Sequence, residues 1–525
     1  MPGISIYLTH SNQNHSHPIL DVFPNYRLTN WYDGKLRFCS TTYTDYPIRK
    51  IESNDYICII EGLIYELETD QKVKSICVDL FQNNNNKSLK SFIKNTDGEF
   101  IISCIEKQSG RILIFNDYLG RLPFYYYKTD NDFVASREIS FITENYNPET
   151  SKIASAESLL FGYPLGNRTL HKDCYRMMPS STLMFEPENN QLLIKELHLI
   201  NFEACENQIT DIKQAANNLH KLFLNACEKR AAGHDKLLLS LSGGLDSRAI
   251  MAAFDKLNID YSMATYKDQA KSADPDIQVV EQLINTSQKQ FDLIELEKPD
   301  KRHEETLFQM KQGLNYLGMS FILDYFEKIQ ISGLQFWTGD GGDKVLPDLR
   351  PLRMIFSKKD LLHYILNKNK IFSIREVSEI FEIDQKELKQ HLLKHIESYP
   401  EKTLTGKYTR FSIMERGFKW LFEGEDRNRY YFPSITPFYS VPFFQYAMSI
   451  PSYHKKDFKL YKEFLNLLST EIADFPNANW GLSVNETKKI KWIYTKQSIK
   501  SLLPQKGADE TEREYYRRTL LMIKE

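Results

Sequence analysis

No two cysteines of this chain are spaced as CxxC. The seven that occur, at 39, 58, 77, 104, 174, 205 and 227, are odd in number and confined to the first half. That spread lacks the spacing of a zinc site or a disulfide framework, and it predicts reduced thiols in the cytosol. Charge of one sign is missing too. Sixty-seven basic residues face 69 acidic ones, so no field marks nucleic acid or an anionic membrane as the partner. No apolar run is long enough for a membrane-spanning helix. The first residues carry neither a basic n-region nor an apolar h-region, so a cytoplasmic location without a secretion signal is expected. A GxxxxGK(S/T) loop is also lacking, which excludes a Walker A nucleotide site. What remains is a soluble chain of 525 residues, 42% hydrophobic, long enough for two or three domains.

Residues 1 to 205 read mainly as β-structure. The stretches "YICIIEGLIYEL" (56–67), "GEFIISCIE" (98–106) and "RILIFNDYLGRLPFYYYK" (111–128) are rich in β-branched and aromatic residues. Asp97-Gly98 and Ser109-Gly110 supply turns between them. The aromatic cluster at 124–127 fits sheet core. "NNNN" at 83–86 is a short polar loop.

The rhythm changes near Ile209. "ITDIKQAANNLHKLFLNACEKRAA" has apolar residues at helical spacing, with Thr210 as N-cap and Gly233 beyond its end. Strand-like and helix-like pieces then alternate: "KLLLSL", "SRAIMAAFDKL", "DYSMATY", "PDIQVVEQLIN", "FDLIEL". That alternation predicts a parallel sheet built from βαβ units. Residues 352–425 are charged and helical, and the basic tail from Lys488 reads as a solvated helix.

Two loops carry the chemistry. In "KLLLSLSGGLDSRAI" (236–250) an apolar strand runs into Ser-Gly-Gly-Leu-Asp-Ser and then a helix. Gly243 and Gly244 allow unusual φ values and close approach of a ligand, while loop N–H groups and the helix N-terminus converge on one spot. The hydroxyls of Ser242 and Ser247 add donors. Asp246 repels a bare phosphate and makes sense when Mg²⁺ bridges carboxylate and phosphates. The second loop, "TGDGGDK" (338–344), follows another apolar strand. It belongs at the carboxyl end of the same sheet, where ligands of open α/β sheets bind. Its Asp343 is the natural second metal ligand.

Ser242–Ser247, read as SGGLDS, resembles the pyrophosphate loop of the ATP pyrophosphatase superfamily. With "TGDGGD" downstream the chain resembles the asparagine synthetase family. "EGLIYE" (61–66), "DGEF" (97–100), "NDYLGRLPFYYY" and "ASREI" (135–139) are similar to that family's glutaminase domain. "ADPDIQVVEQL" (273–283) and "TPFYSVPFFQYAMSIP" (436–451) are similar to segments of its synthetase domain. The resemblance implies an N-terminal αββα sandwich of the Ntn-hydrolase type over residues 1–205. It implies an α/β parallel-sheet PP-loop domain with a helical C-terminal region over 206–525. It further implies a ligase that adenylates a carboxylate with ATP, releases pyrophosphate and passes the acyl group to nitrogen. Asp246 and Asp343 match the family's metal aspartates, and Ser242, Gly243, Gly244 and Ser247 its pyrophosphate loop. Leu241, Met263 and Gly339 fall where backbone groups meet adenosine or its phosphate. ATP and Mg²⁺ are the expected cofactors; the expected partner is a small-molecule, sugar or peptide carboxylate, not nucleic acid or membrane.

The chain departs from that family at informative places. Glutamine-using members begin Met-Cys-Gly-Ile, and the cysteine is the nucleophile. Here Pro2 stands in its place, so glutamine hydrolysis is not expected, and the nitrogen donor would be ammonia or a substrate amine. Lys344 follows the loop aspartate where many members carry glutamate, and Asn477 in "DFPNANWG" replaces a lysine. The nucleotide side is kept and the acyl side altered, which fits a changed substrate. An inactive nucleotide- or partner-binding scaffold is the alternative, and tRNA adenylation a third. No general base is assigned; Tyr439, Glu423 and Glu425 are near in sequence, and solvated surface positions are expected for them.

Overall fold

The computed structural model describes residues 2–8, 15–66, 69–83, 86–203, 209–269, 271, 273–287, 291–298, 300–502 and 507–524. Cys205, Met1, part of the "NNNN" tract and the expected 205/206 boundary lie outside these residues.

The first half builds two antiparallel six-stranded sheets. Period-2 alternation decides which way each strand faces. In Gly3–Leu8, Ile4 and Ile6 point into the space between the sheets, whereas Tyr7 points away toward Phe141 and Ile142 of helix Ile139–Tyr146. In Tyr56–Ile64, Ile57 and Ile59 fill the same inter-sheet core. Cys58 and Ile60 face helices Thr69–Asn83 and Asn86–Asn95. Helix, sheet, sheet and helix therefore stack in four layers. The expected strands at 56–67 and 98–106 are Tyr56–Ile64 and Gly98–Glu106. The run 111–128 is two strands, Ile112–Asn116 and Tyr125–Lys128.

The register of Tyr56–Ile64 on Gly98–Glu106 sets Cys58 directly opposite Cys104. Their sulfurs pair as a disulfide, and the Cys77 thiol lies within 4.8 Å of both. This corrects the expectation that every thiol is reduced, and removes that support for a cytosolic location. Local spacing misses the pairing because strand register joins residues 46 apart. Among the described residues no helix is long and apolar enough to cross a membrane.

The second half holds a five-stranded parallel sheet. Its order is Phe291–Glu295, Ser262–Lys267, Leu237–Ser240, Gln335–Trp337, Ser434–Ile435. Leu237 and Leu239 face the helices Ile212–Ala231 and Leu245–Leu257, while Leu238 and Phe336 face a second core with Leu307 and Phe326. Both faces are covered, as buried parallel strands require. The Ile212–Ala231 helix is capped by the Asp211 carboxylate accepting from Lys213 N–H, not by Thr210; a charged aspartate oxygen is the stronger N-cap acceptor of the two. Residues 358–428 are helical, including an 11-residue π-helical segment, Phe411–Leu421. They form a core with helix Lys152–Phe161 of the first half. The tail is not wholly solvated, because Tyr516 is buried in that same core.

Candidate functional site

The parallel sheet reverses its build direction between Leu237–Ser240 and Gln335–Trp337. The chain leaves the first strand toward one edge, and later adds the second and its successor toward the other. Loops at the carboxyl ends of such neighbouring strands diverge and leave a crevice. Here the two loops are the SGGLDS and TGDGGD segments. They enclose a cleft of about 400 Å³. Ser242, Gly244, Asp246, Ser247, Gly339 and Asp343 line it, as does Asp340. Leu241, Gly243 and Met263 do not. Met263 is a buried strand residue and Leu241 is buried just past the end of Leu237–Ser240, where its N–H donates to the Ala264 carbonyl at 2.9 Å.

The loop amides already have partners. Ser242 N–H donates to Ser247 Oγ at 3.0 Å, Gly244 N–H to Ser242 Oγ at 3.3 Å, and Gly243 N–H to Asp276 Oδ1 at 2.7 Å. Neither glycine has a positive φ. A Cβ on Gly243 would lie 2.7 Å from Ala478 Cβ and 2.9 Å from Asp276 Cα. Gly243 thus lets two protein segments close on the loop rather than a ligand. At Gly244 a Cβ meets only Ser242 Oγ, at 3.3 Å, so this is the position open to an incoming group. In the second loop, glycine's freedom is used at Gly341, where φ is +102° and the Tyr439 ring packs against the bare Cα.

Arg248 holds the first loop from beneath. Its guanidinium donates to the carbonyls of Gly243 and Gly244 at 2.7 Å, and to those of Phe475 and Pro476 at 3.1 and 3.0 Å. Burial pulls its pKa down to about 10. The segment containing Asn477 is thereby fastened to the loop. The Asn477 side chain itself accepts from Asn479 N–H at 2.8 Å and stabilises a turn.

Asp246 and Asp343 come together at the mouth of the cleft. Asp246 Oδ1 accepts from the Tyr461 hydroxyl at 2.6 Å and Oδ2 from the Asp343 N–H at 3.0 Å. Enclosure by the protein, followed by the nearby Asp343 charge, pushes Asp246 up to about 7. Asp340, where burial acts with the Glu425 charge, is also pushed up to about 7. Carboxylates are the hard oxygen donors that suit a cation such as Mg²⁺, although among the described residues these three do not close into a metal-sized cluster. Lys344 Nζ makes an ion pair with Asp343. The opposite wall is apolar, with Tyr266, Phe326 and Phe336, and Arg427 completes it. Tyr461 and Arg427 lie far from the motifs in sequence, and Asp276 sits within the 273–283 segment with nothing to mark it as a loop partner. No spacing signal singles them out, and only the fold brings them in.

The three residues weighed as bases are not solvated. Glu423 is paired with Arg176 at 3.0 Å and Lys311 at 2.6 Å, and Glu425 with Arg121 at 2.6 Å and Arg429 at 3.1 Å. Tyr439 is buried. The two glutamates belong to an ionic seam between the two halves of the chain.

No family model matches the sequence. A protein of Methanocaldococcus jannaschii described as "Putative asparagine synthetase (glutamine-hydrolyzing) 2" is 24% identical over 337 residues, spanning 59% of this chain and 63% of that protein. Among solved structures, a glutamine phosphoribosylpyrophosphate amidotransferase from B. subtilis complexed with ADP and GMP aligns at 8% identity and a TM-score of 0.25. It covers 77% of this chain and 94% of that one. An "allosteric regulatory enzyme of purine biosynthesis" aligns at 10% identity and a TM-score of 0.23, covering 77% and 88%. Alignments at those scores carry no assignment of fold or function. The sequence similarity is a distant one, over less than two thirds of the length of that relative.

Proposed function

We propose that this chain is an ATP-dependent ligase that adenylates a substrate carboxylate and couples it to ammonia or a substrate amine, without hydrolysing glutamine. The observation that supports it is the meeting of SGGLDS and TGDGGD at the switch point of a parallel sheet, with Asp246 hydrogen-bonded to the backbone of Asp343. In this reading the apolar wall of Tyr266, Phe326 and Phe336 takes the adenine ring. Gly244, Ser242 and Ser247 face the phosphates. When bound, Mg²⁺ would be held by Asp246 and Asp343 and would offset the charge of the triphosphate. A carboxylate oxygen of the substrate attacks the α-phosphorus. An acyl–oxygen–phosphorus bond forms, the bond to the β,γ-phosphates breaks, and pyrophosphate leaves. The amine nitrogen then attacks the acyl carbon, AMP departs with the bonding pair, and the nitrogen gives up a proton. The hydroxyls of Ser242 and Ser247, rather than the engaged loop amides, would serve the leaving pyrophosphate, because charge accumulates there as the bond breaks.

The Lys344–Asp343 ion pair favours a second reading, an inactive nucleotide- or partner-binding scaffold, since it engages one expected metal ligand. Pyrophosphate release separates the two. Protein supplied with ATP, Mg²⁺, an acid panel and ammonium should release pyrophosphate and AMP in equal amounts. Nucleotide binding with no turnover across the panel would instead leave the scaffold reading.

A further inference from the structure

A second and larger cavity, about 680 Å³, opens beside the nucleotide cleft and shares Asp343 with it. Its walls are of two kinds. The π-helical segment Phe411–Leu421 contributes Phe411, Arg416 and Trp420, and Phe458 and Tyr494 face them from other parts of the chain. These rings give a broad apolar surface. Among the charged lining residues, Lys344, Arg350, Lys368, Lys370 and Arg416 outnumber Asp343, Asp348 and Glu512. Two cations have carboxylate partners within the lining: Lys344 with Asp343, and Arg350 with Asp348 at 2.8 Å. Lys368, Lys370 and Arg416 make no ion pair with any described residue. The one further acid in the lining, Glu512, feels the Arg416 charge, while burial and Asp509 hold its carboxyl above the ordinary value. Arg416 acts on Lys368 as a like charge and, after burial, helps to lower its pKa. Cations in excess of the acids around a cavity repel one another, and a bound anion relieves that repulsion.

We infer that this cavity receives the body of the acyl substrate, and that the substrate is a small organic acid with a second anionic group on an apolar or aromatic frame. One carboxylate would lie toward Asp343 and Lys344, at the junction with the nucleotide cleft, where it meets the α-phosphate. The second anion would lie among Lys368, Lys370 and Arg416, with the ring surfaces of Trp420 and Tyr494 along the frame between them. Lys344 then offsets the approach of an anionic acid to an acidic site. The inference rests on the adenylation reading for the direction in which the substrate lies, but the anion site itself does not.

The test uses the full chain with Mg²⁺ and the non-hydrolysable analogue AMPCPP, titrated calorimetrically with benzoate and with isophthalate. Isophthalate should bind at least about tenfold more tightly than benzoate, the size of one charge-assisted contact in a partly dry site. The double variant Lys370→Gln/Arg416→Gln should lose that preference, while its AMPCPP titration shows whether the neighbouring cleft is intact. Equal affinities for the two acids in the wild type, or an undiminished preference in the double variant, overturns the inference. Failure of AMPCPP to bind, or of any acid to release pyrophosphate, with the isophthalate preference intact and lost in the variant, overturns the adenylation reading and supports the anion site.

Discussion

Asp246 is held by two donors, one from Tyr461 and one from the backbone of Asp343, yet it is pushed up to about 7 from an ordinary value of 3.8. Enclosure outweighs the hydrogen bonds, and the charge of Asp343 adds to it. The sign of the consequence is fixed. A carboxyl whose folded value lies above its unfolded value binds more protons when folded, so it withdraws stability as pH rises between those values. Asp246 and Asp340 should both make the unliganded protein less heat-stable as pH rises from about 4 to about 7, with no further loss from them above that. A cation binds the ionised form, so stabilisation by Mg²⁺ and AMPCPP should grow across the same window and then level off. Thermal denaturation with and without the complex, at a series of pH values, checks this; a stabilisation independent of pH speaks against these carboxylates as ligands. Asp246→Asn removes the charge and keeps the shape. It should lower pyrophosphate release at least ~100-fold, the scale of losing a principal electrostatic group. It should not lower the melting temperature of the unliganded protein near neutral pH. Turnover close to wild type in that variant would refute its assigned role.

At the scale of the element, the strand–loop–helix unit around SGGLDS divides its two glycines by task. Gly243→Ala drives a methyl against backbone at Asp276 and against Ala478. Backbone yields poorly, so a destabilisation of ~1–3 kcal/mol is expected. Gly244→Ala meets one hydroxyl and keeps an extended φ of −77°. Its stability should stay within ~0.5 kcal/mol of wild type, while AMPCPP affinity falls because the methyl enters the cleft. Denaturation midpoints and calorimetric titration of the two variants should therefore cross over, and identical profiles would remove the distinction. The unit itself was legible in the sequence: strand, loop and helix follow in the expected order, although the Leu245–Leu257 helix begins within SGGLDS and carries Asp246 and Ser247 in its first turn. Pattern also identified Asp343, because a second strand end with the same chemistry belongs to the same sheet edge. It could not supply Tyr461 or Arg427. Those side chains reach the site through packing between segments up to 215 residues apart, and nothing local distinguishes them from surface residues. For the same reason Glu423 and Glu425 read as solvated when they are buried. A charged residue in a helical stretch looks alike in sequence whether or not a cation waits across an interface.

The two halves of the molecule are joined by buried ions. Arg137 pairs with Glu61 and Asp426, each at 2.8 Å; Arg121 with Glu99 and Glu425; Lys311 with Glu423 and Asp426, each at 2.6 Å. Glu61 and Glu99 come from the EGLIYE and DGEF segments, so these N-terminal segments are tied to the second half of the chain. Buried networks of this kind add little relative to an apolar seam but are costly to break. Lys311→Met should destabilise the protein by ~3–5 kcal/mol, read as a lowered melting temperature, because Asp426 and Glu423 lose a shared cation; an unchanged midpoint would show the seam to be dispensable. The same seam bears on Pro2. The strand Gly3–Leu8 runs between two neighbours in the first sheet, and Ile4 N–H donates to Glu61 Oε2 at 2.9 Å. Arg137 Cγ lies 2.7 Å from where a Cβ on Gly3 would be, and the Tyr46 hydroxyl donates to Glu61 at 2.5 Å. The interior next to Pro2 is thus filled by Glu61, Arg137 and Tyr46, all held by one another, and a free glutamine would have to displace them. Placing a thiol there by Pro2→Cys adds a nucleophile without making room for the amide it should attack. Glutamate formation from glutamine by that variant should stay at the wild-type background, while pyrophosphate release with ammonium is unaffected. Measurable glutamate production would show that the seam opens far enough to admit a substrate, and that the N-terminal half keeps a usable pocket beneath its ion pairs.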